Sequence, residues 1–161
     1  MIFVTVGTNE ARFDRLLHAV DALVLDEEIV VQCGASPVRP SNAHCVEFLS
    51  FDDMVEHMRR ARIVVAHAGV GTVLVARANG HRAIVVPRLQ RYGEAVDNHQ
   101  VDFARRLHGV GLVHLVEDPY DLEEALRMPL DPPAANGHAN GLAEELQAYL
   151  VGEMHATEAV G

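Results

Sequence analysis

The apolar run Ile63-Val64-Val65-Ala66 ends in His67, and Gly69-x-Gly71-Thr72 follows directly after Ala68. Four apolar residues in a row read as a parallel strand buried on both faces. The chain then breaks, and 69–72 opens a helical segment that runs to Asn79-Gly80. A strand that enters a helix through a glycine turn leaves backbone N–H groups and the positive end of a helix dipole at the strand's carboxyl edge. That arrangement can hold a phosphate. Gly69-x-Gly71 alone is equally a tight turn with no ligand. A dinucleotide fingerprint needs a third glycine at position 74, where this chain has Leu74, which argues against NAD or FAD. His67 reads either as a ligand-facing group or as a core histidine bonded to a backbone carbonyl. Thr72 reads as a helix cap or as a hydroxyl donor to a phosphate oxygen.

A second polar cluster, Asp97-Asn98-His99-Gln100, lies in a helix expected over 94–108 with an apolar stripe of Val96, Phe103 and Leu107. Gln100 falls on that stripe, one turn after Val96. A core-facing amide left bare costs about 1–3 kcal/mol, so either a ligand hydroxyl or a backbone group must meet it. Glu94 and Asp97 sit where a carboxylate stabilises a helix start. The ten histidines form no His-x-x-x-His, and no Cys/His cluster has zinc spacing, so no metal site is expected. A Gly-x-Ser-x-Gly elbow is missing too.

The elements that must position these groups alternate. Strands are expected at 2–6, from 29 to near Cys33-Gly34, at 45–49, 63–66, 83–87 and 112–116. Helices are expected at 10–25, from Asp52 or Asp53 through Met58 with Ser50 a candidate cap, from 69–72 to 79, at 94–108 and at 119–127. This is the pattern of an α/β, doubly wound, mostly parallel Rossmann-like sheet. Ligands in such sheets bind at the carboxyl edge near the topological switch. Four segments should meet there: Gly7-Thr8-Asn9, Phe48-Leu49-Ser50, 67–72, and 88–100. Residues 1–127 read as the α/β domain, 128–141 as a linker rich in Pro, Gly, Ala and Asn, 142–154 as a closing helix and 155–161 as a disordered tail.

Composition narrows the classes. A chain of 161 residues has the length of one domain, and 49% hydrophobic content supports a globular core. A formal charge of -10 with 13 basic residues argues against nucleic acid as the partner. All 13 are arginine, and without lysine a P-loop is excluded. Cys33 and Cys45 are not at Cys-x-x-Cys spacing and read as reduced core residues of a cytosolic protein. No charged leader precedes the first strand, and no stretch approaches the ~20 apolar residues of a membrane span. The expectation is a cytoplasmic protein, peripheral at the inner face of a membrane only through a partner.

Taken together, Met1-Ile2-Phe3-Val4-Thr5-Val6-Gly7-Thr8, His67-Ala68-Gly69-Val70-Gly71-Thr72, Val85-Val86-Pro87-Arg88, Tyr92-Gly93-Glu94 and Asp97-Asn98-His99-Gln100 resemble the C-terminal, donor-binding half of GT-B glycosyltransferases of the family 28 type. The chain is more closely similar to that family's free-standing half-enzymes. These are the small subunit of the dolichol-linked UDP-N-acetylglucosamine transferase and the small partners in bacterial exopolysaccharide glycosyltransferases. The resemblance covers roughly residues 1–127. It implies a single GT-B half-domain and a UDP-sugar substrate, with no metal and no other cofactor. It implies that Phe48 and Leu49 meet the uracil through backbone groups. Gly7 and Thr8, with Gly69, Val70, Gly71 and Thr72, would face the diphosphate, and Asn98, His99 and Gln100 the donor sugar; Asn9, His67 and Ala68 complete the donor-binding set. Many relatives carry a glutamate one helical turn after the glycine turn, where it grips the ribose. That position is Val75 here, which favours the exopolysaccharide partners over the peptidoglycan-type enzymes.

A GT-B reaction needs two α/β domains. The resemblance therefore implies a donor-binding subunit that transfers a hexose-type sugar to a lipid-linked acceptor with a membrane-associated partner, which would carry the general base. Catalytic residues on this chain are left unassigned. The loop with Arg88 and Arg91 and the helix 142–154 are candidates to touch that partner, although the helix could equally pack on its own sheet. The alternative is a non-catalytic nucleotide-sugar-binding or regulatory subunit; a sugar-nucleotide epimerase fragment is a third reading. A homo-oligomer fits any of these.

Overall fold

The computed structural model describes residues 1–129. The strands are β1 (Ile2–Thr5), β2 (Ile29–Gln32), β3 (His44–Val46), β4 (Ile63–His67), β5 (Ile84–Val86) and β6 (His114–Leu115), and the helices α1 (Asp14–Asp21), α2 (Phe51–Arg60), α3 (Val70–Ala78), α4 (His99–Gly109) and α5 (Leu122–Arg127). The expected linker 128–141, closing helix 142–154 and tail 155–161 lie outside the described residues, apart from 128 and 129.

Among the described residues all five strand pairings are parallel, in the order β3-β2-β1-β4-β5-β6. The order reverses direction between β1 and β4, and their carboxyl ends form the switch point. Side chains alternate across the sheet. Ile2, Val4, Val31 and Val65 pack with α1 and α5 on one face. Phe3, Val30, Val64 and Val85 pack with α2, α3 and α4 on the other. Burial on both faces is why these strands read as unbroken apolar runs.

Two helices are shorter than their periodicity suggests. The helix expected over 10–25 begins only at Asp14. Tertiary partners hold the preceding residues: Asn9 Oδ1 accepts from Ala11 N at 2.7 Å, Ser36 Oγ accepts from Phe13 N at 2.7 Å, and the Arg88 guanidinium takes the Ala11 and Arg12 carbonyls. The helix expected over 94–108 begins at His99. Glu94 is turned inward, Gln90 Nε2 donates to Val96 O at 2.8 Å, and Val96 is 85% exposed rather than on a core stripe. The strands expected at 45–49 and 112–116 shrink to three and two residues, which leaves Phe48 and Leu49 in a loop. The expected 119–127 helix splits into a 3-10 turn at Pro119–Asp121 and α5. Ser50 does cap α2, accepting from Asp53 N at 3.1 Å.

Candidate functional site

At the switch point a cleft of about 510 Å³ is lined by Gly7, Thr8, Asn9, Gln32, Phe51, Met54, His67, Gly69, Gly71, Thr72 and Val75. Its polar end is the start of α3. Gly69 is the N-cap residue, no side chain caps the helix, and no acidic residue lies in the first turn. The first intrahelical bond runs from Val73 N to Gly69 O at 3.0 Å. The N–H groups of Val70, Gly71 and Thr72 therefore have no intrahelical acceptor, and the positive dipole end is uncompensated. A Cβ on Gly71 would meet nothing within 4 Å, so space is open beside these donors. Thr72 is the third residue of the helix rather than its cap, so its hydroxyl is available to the cleft.

His67 stands at the end of β4 between two glycine turns. A Cβ on Gly7 would approach the ring Nε2 to 2.9 Å, and one on Gly69 would approach Cδ2 to 2.9 Å, both inside normal contact. Gly7 also has φ +79°, which L side chains rarely adopt. Glycine at these two positions is what admits the imidazole. His67 Nδ1 is buried with no hydrogen-bond partner among the described residues. Burial, reinforced by the positive charge of Arg88 and opposed by the Thr5 backbone, pushes the ring's pKa down to about 4. At neutral pH the imidazole is therefore uncharged, and none of the described side chains lining the cleft carries a charge. Any anion held here is held by neutral donors: backbone N–H groups, hydroxyls and amides.

Gln32 ends β2 as His67 ends β4, directly opposite Thr5 in the ladder. It is 2% exposed. Gly7 N donates to Thr5 Oγ1 at 3.1 Å, and Thr5 Oγ1 donates to Gln32 Oε1 at 2.7 Å. The apolar end of the cleft comes from Phe51 and Met54 in the first turn of α2, with Val75 across from them on α3.

In the segment 88–100, Arg88 and Glu94 play parts other than those expected. Arg88 is 1% exposed and is not a surface cation available to a partner. Its Nη1 donates to the carbonyls of Ala11 (2.8 Å), Arg12 (3.1 Å) and Glu94 (3.1 Å), and its Nη2 donates to Val6 O (2.8 Å), with the guanidinium 4.8 Å from the Phe13 ring centroid. It thus ties both sides of the Gly7 turn to the loop after β5. Glu94 does not stabilise a helix start. It is 3% exposed, makes a bidentate pair with Arg15 at 3.0 Å on both arms, and accepts from Leu89 N at 2.9 Å. Asp97 accepts from His99 N at 3.0 Å and contacts the His99 ring, and these bonds hold its carboxyl below the usual range. Gln100 meets a backbone group: its Oε1 accepts from Arg88 N at 3.1 Å.

Of the residues expected at the site, Gly7, Thr8, Asn9, His67, Gly69, Gly71 and Thr72 come together in one cleft. Ala68 is buried and Val70 packs on the core beside it. Phe48 is exposed, and neither it nor Leu49 lines the cleft. Asn98 accepts from Gln90 N at 3.0 Å and lines a separate cleft of about 500 Å³ with Arg15, Tyr92, Arg105 and Tyr120, whereas His99 and Gln100 line neither. Gln32, Phe51 and Met54 were not singled out by the sequence. Gln32 carried the signal that marked His67, a polar residue closing an apolar strand.

The family model of the glycosyltransferase family 28 C-terminal domain matches residues 1–149. The human UDP-N-acetylglucosamine transferase subunit ALG13 is 29% identical over an alignment of 123 positions that covers 68% of this chain and 10% of that protein. The UDP-N-acetylglucosamine--N-acetylmuramyl-(pentapeptide) pyrophosphoryl-undecaprenol N-acetylglucosamine transferase of Rhodospirillum centenum is 31% identical over an alignment of 104 positions that covers 58% of this chain and 26% of that one. Among solved structures, the glycosyltransferase SnogD of Streptomyces nogalater superposes with TM-score 0.59 at 25% identity, covering 92% of this chain and 38% of that one. Acinetobacter baumannii MurG superposes with TM-score 0.51 at 23% identity, covering 76% and 39%, a likeness of fold. The chain thus spans well under half the length of each of these relatives.

Proposed function

The chain belongs to the glycosyltransferase family 28 C-terminal domain family, and on that premise we propose that it is the donor-binding half of a glycosyltransferase. It holds a UDP-sugar of the hexose type. A membrane-associated partner subunit brings a lipid-linked acceptor. The observation that carries this reading is the uncapped start of α3, whose free N–H groups face an open cleft with no acid in the first turn. A diphosphate suits those donors and the dipole end. The apolar end of the cleft suits the nucleoside.

In this account the acceptor hydroxyl attacks the anomeric carbon and the bond to the diphosphate oxygen breaks. The partner's general base takes the hydroxyl proton, and UDP leaves with the charge. The work of this chain is to orient the donor and to stabilise that developing charge through the Val70, Gly71 and Thr72 N–H groups, fixed in place before reaction. The names of the relatives make UDP-N-acetylglucosamine the first donor to test. They also support a separate subunit and a polyprenyl-linked acceptor. Among the described residues no helix is long and apolar enough to cross a membrane, which is compatible with membrane attachment through the partner.

The test is a transfer assay with labelled UDP-N-acetylglucosamine and a polyprenyl-linked acceptor. The purified chain is mixed with membranes from cells expressing candidate partner subunits. Label should enter lipid only when chain and partner are both present. Donor binding with no transfer under any partner would instead identify a non-catalytic nucleotide-sugar-binding subunit.

A further inference from the structure

We propose that Gln32 is a specificity-determining residue whose amide N–H groups donate to an oxygen acceptor on the nucleoside part of the bound nucleotide. The inference rests on the nucleotide-sugar reading above and adds a residue to it. Gln32 is nine-tenths or more buried, lines the cleft, and has its orientation fixed by a directed chain of hydrogen bonds. Gly7 N–H donates to Thr5 Oγ1, so the threonine proton is free to go to Gln32 Oε1. With Oε1 engaged, Nε2 is the end left for the cleft, and it donates to no described residue. Consecutive hydrogen bonds of one direction polarise each other, which strengthens the terminal N–H groups as donors. The chain also removes Gly7 N–H from the set of phosphate donors.

Position separates this donor from the phosphate end. Thr5 pairs with Gln32 on one side and with Ala66 on the other. Gln32 therefore lies two strand spacings, about 10 Å, from β4, the strand that feeds α3. A diphosphate on the α3 N–H groups leaves the nucleoside, not a phosphate, to span toward β2. The apolar residues Phe51 and Met54 follow β3, on that same side of the switch. An amide that presents only donors selects for a carbonyl or hydroxyl oxygen and against an exocyclic amine.

The experiment is calorimetric titration of the 161-residue wild type and the Gln32→Met and Gln32→Glu variants. The ligands are UDP, CDP, 2′-deoxy-UDP, UMP and inorganic pyrophosphate, with thermal melting to establish folding. Gln32→Glu keeps the acceptor for Thr5 at nearly the same shape and removes the donors, so it serves even if the methionine variant fails to fold. Gln32→Met should weaken UDP and UMP about tenfold and leave pyrophosphate within about twofold. Gln32→Glu should weaken UDP at least as much. A base-carbonyl contact will show as collapse of the UDP-to-CDP ratio in Gln32→Met, and a ribose contact as collapse of the UDP-to-2′-deoxy-UDP ratio. Unchanged UDP affinity in the folded variants, equal losses for UDP and pyrophosphate, or neither ratio moving would each overturn the proposal. A wild type that binds neither UDP nor pyrophosphate would overturn the nucleotide-sugar reading itself.

Discussion

Acidification should destabilise this protein through one histidine. In the unfolded chain His67 titrates near 6.5, and in the fold near 4. At pH 7.5 the ring is neutral in both states. As the pH falls below 6.5 the unfolded chain takes up a proton that the folded one refuses, so stability is lost progressively and the loss levels off below pH 4. The whole gap corresponds to about 3 kcal/mol, and about 2 kcal/mol of it is reached by pH 5. For a chain of this size that is a fall in melting temperature of about 6 °C. The assay is thermal melting from pH 7.5 to pH 5 for wild type and His67→Asn. The variant should lose about 6 °C less over that range, whatever its stability at pH 7.5. His114, whose pKa is also lowered by burial and by His108 and Arg82, is common to both proteins and cancels in the difference. Identical pH dependence in the two proteins would refute the claim that the imidazole is held neutral between the glycine turns.

Two further substitutions test the scaffold of the cleft. Glu94→Gln leaves the Arg15 guanidinium without its counter-charge in a nearly buried site and should cost about 3 kcal/mol by denaturant unfolding; a loss below 1 kcal/mol would mean the pair is not structural. Gly69→Ala keeps an allowed backbone (φ -88°, ψ 131°) but drives a methyl into the imidazole. It should cost about 1–3 kcal/mol in stability and weaken nucleotide binding, and an unchanged melting temperature would show that the ring has room to retreat.

The sheet was legible because its strands are buried on both faces, so Ile2-Phe3-Val4 and Ile63-Val64-Val65 could hardly be anything else. The glycine turn at 69–72 was legible because its residue types are dictated locally. What the sequence hid was tertiary. The starts of α1 and α4 moved because Arg88 draws carbonyls from Val6, Ala11, Arg12 and Glu94, residues up to 82 positions away, into one buried guanidinium. No periodicity reveals that an arginine in a polar loop is a core strut. Glu94 faces inward instead of opening a helix because its carboxylate takes the Arg15 guanidinium and the Leu89 N–H. Gln32 was readable in principle, since Ile29-Val30-Val31 ends in a polar residue just as β4 ends in His67. Phe51 and Met54 were not, because their place in the cleft depends on α2 packing beside α3.

The most direct test of the central claim, that the start of α3 holds a diphosphate, is calorimetric titration of wild type and Gly71→Asp with UDP. The substitution has open space for its side chain, and an acid in the first helical turn favours the helix itself, so the fold should survive. The wild type should bind UDP, and the variant should melt at the same or a higher temperature yet bind at least about 30-fold more weakly, because its carboxylate sits where the phosphates belong. Equal UDP affinity in the two folded proteins, or no binding by the wild type at millimolar UDP, would contradict the account.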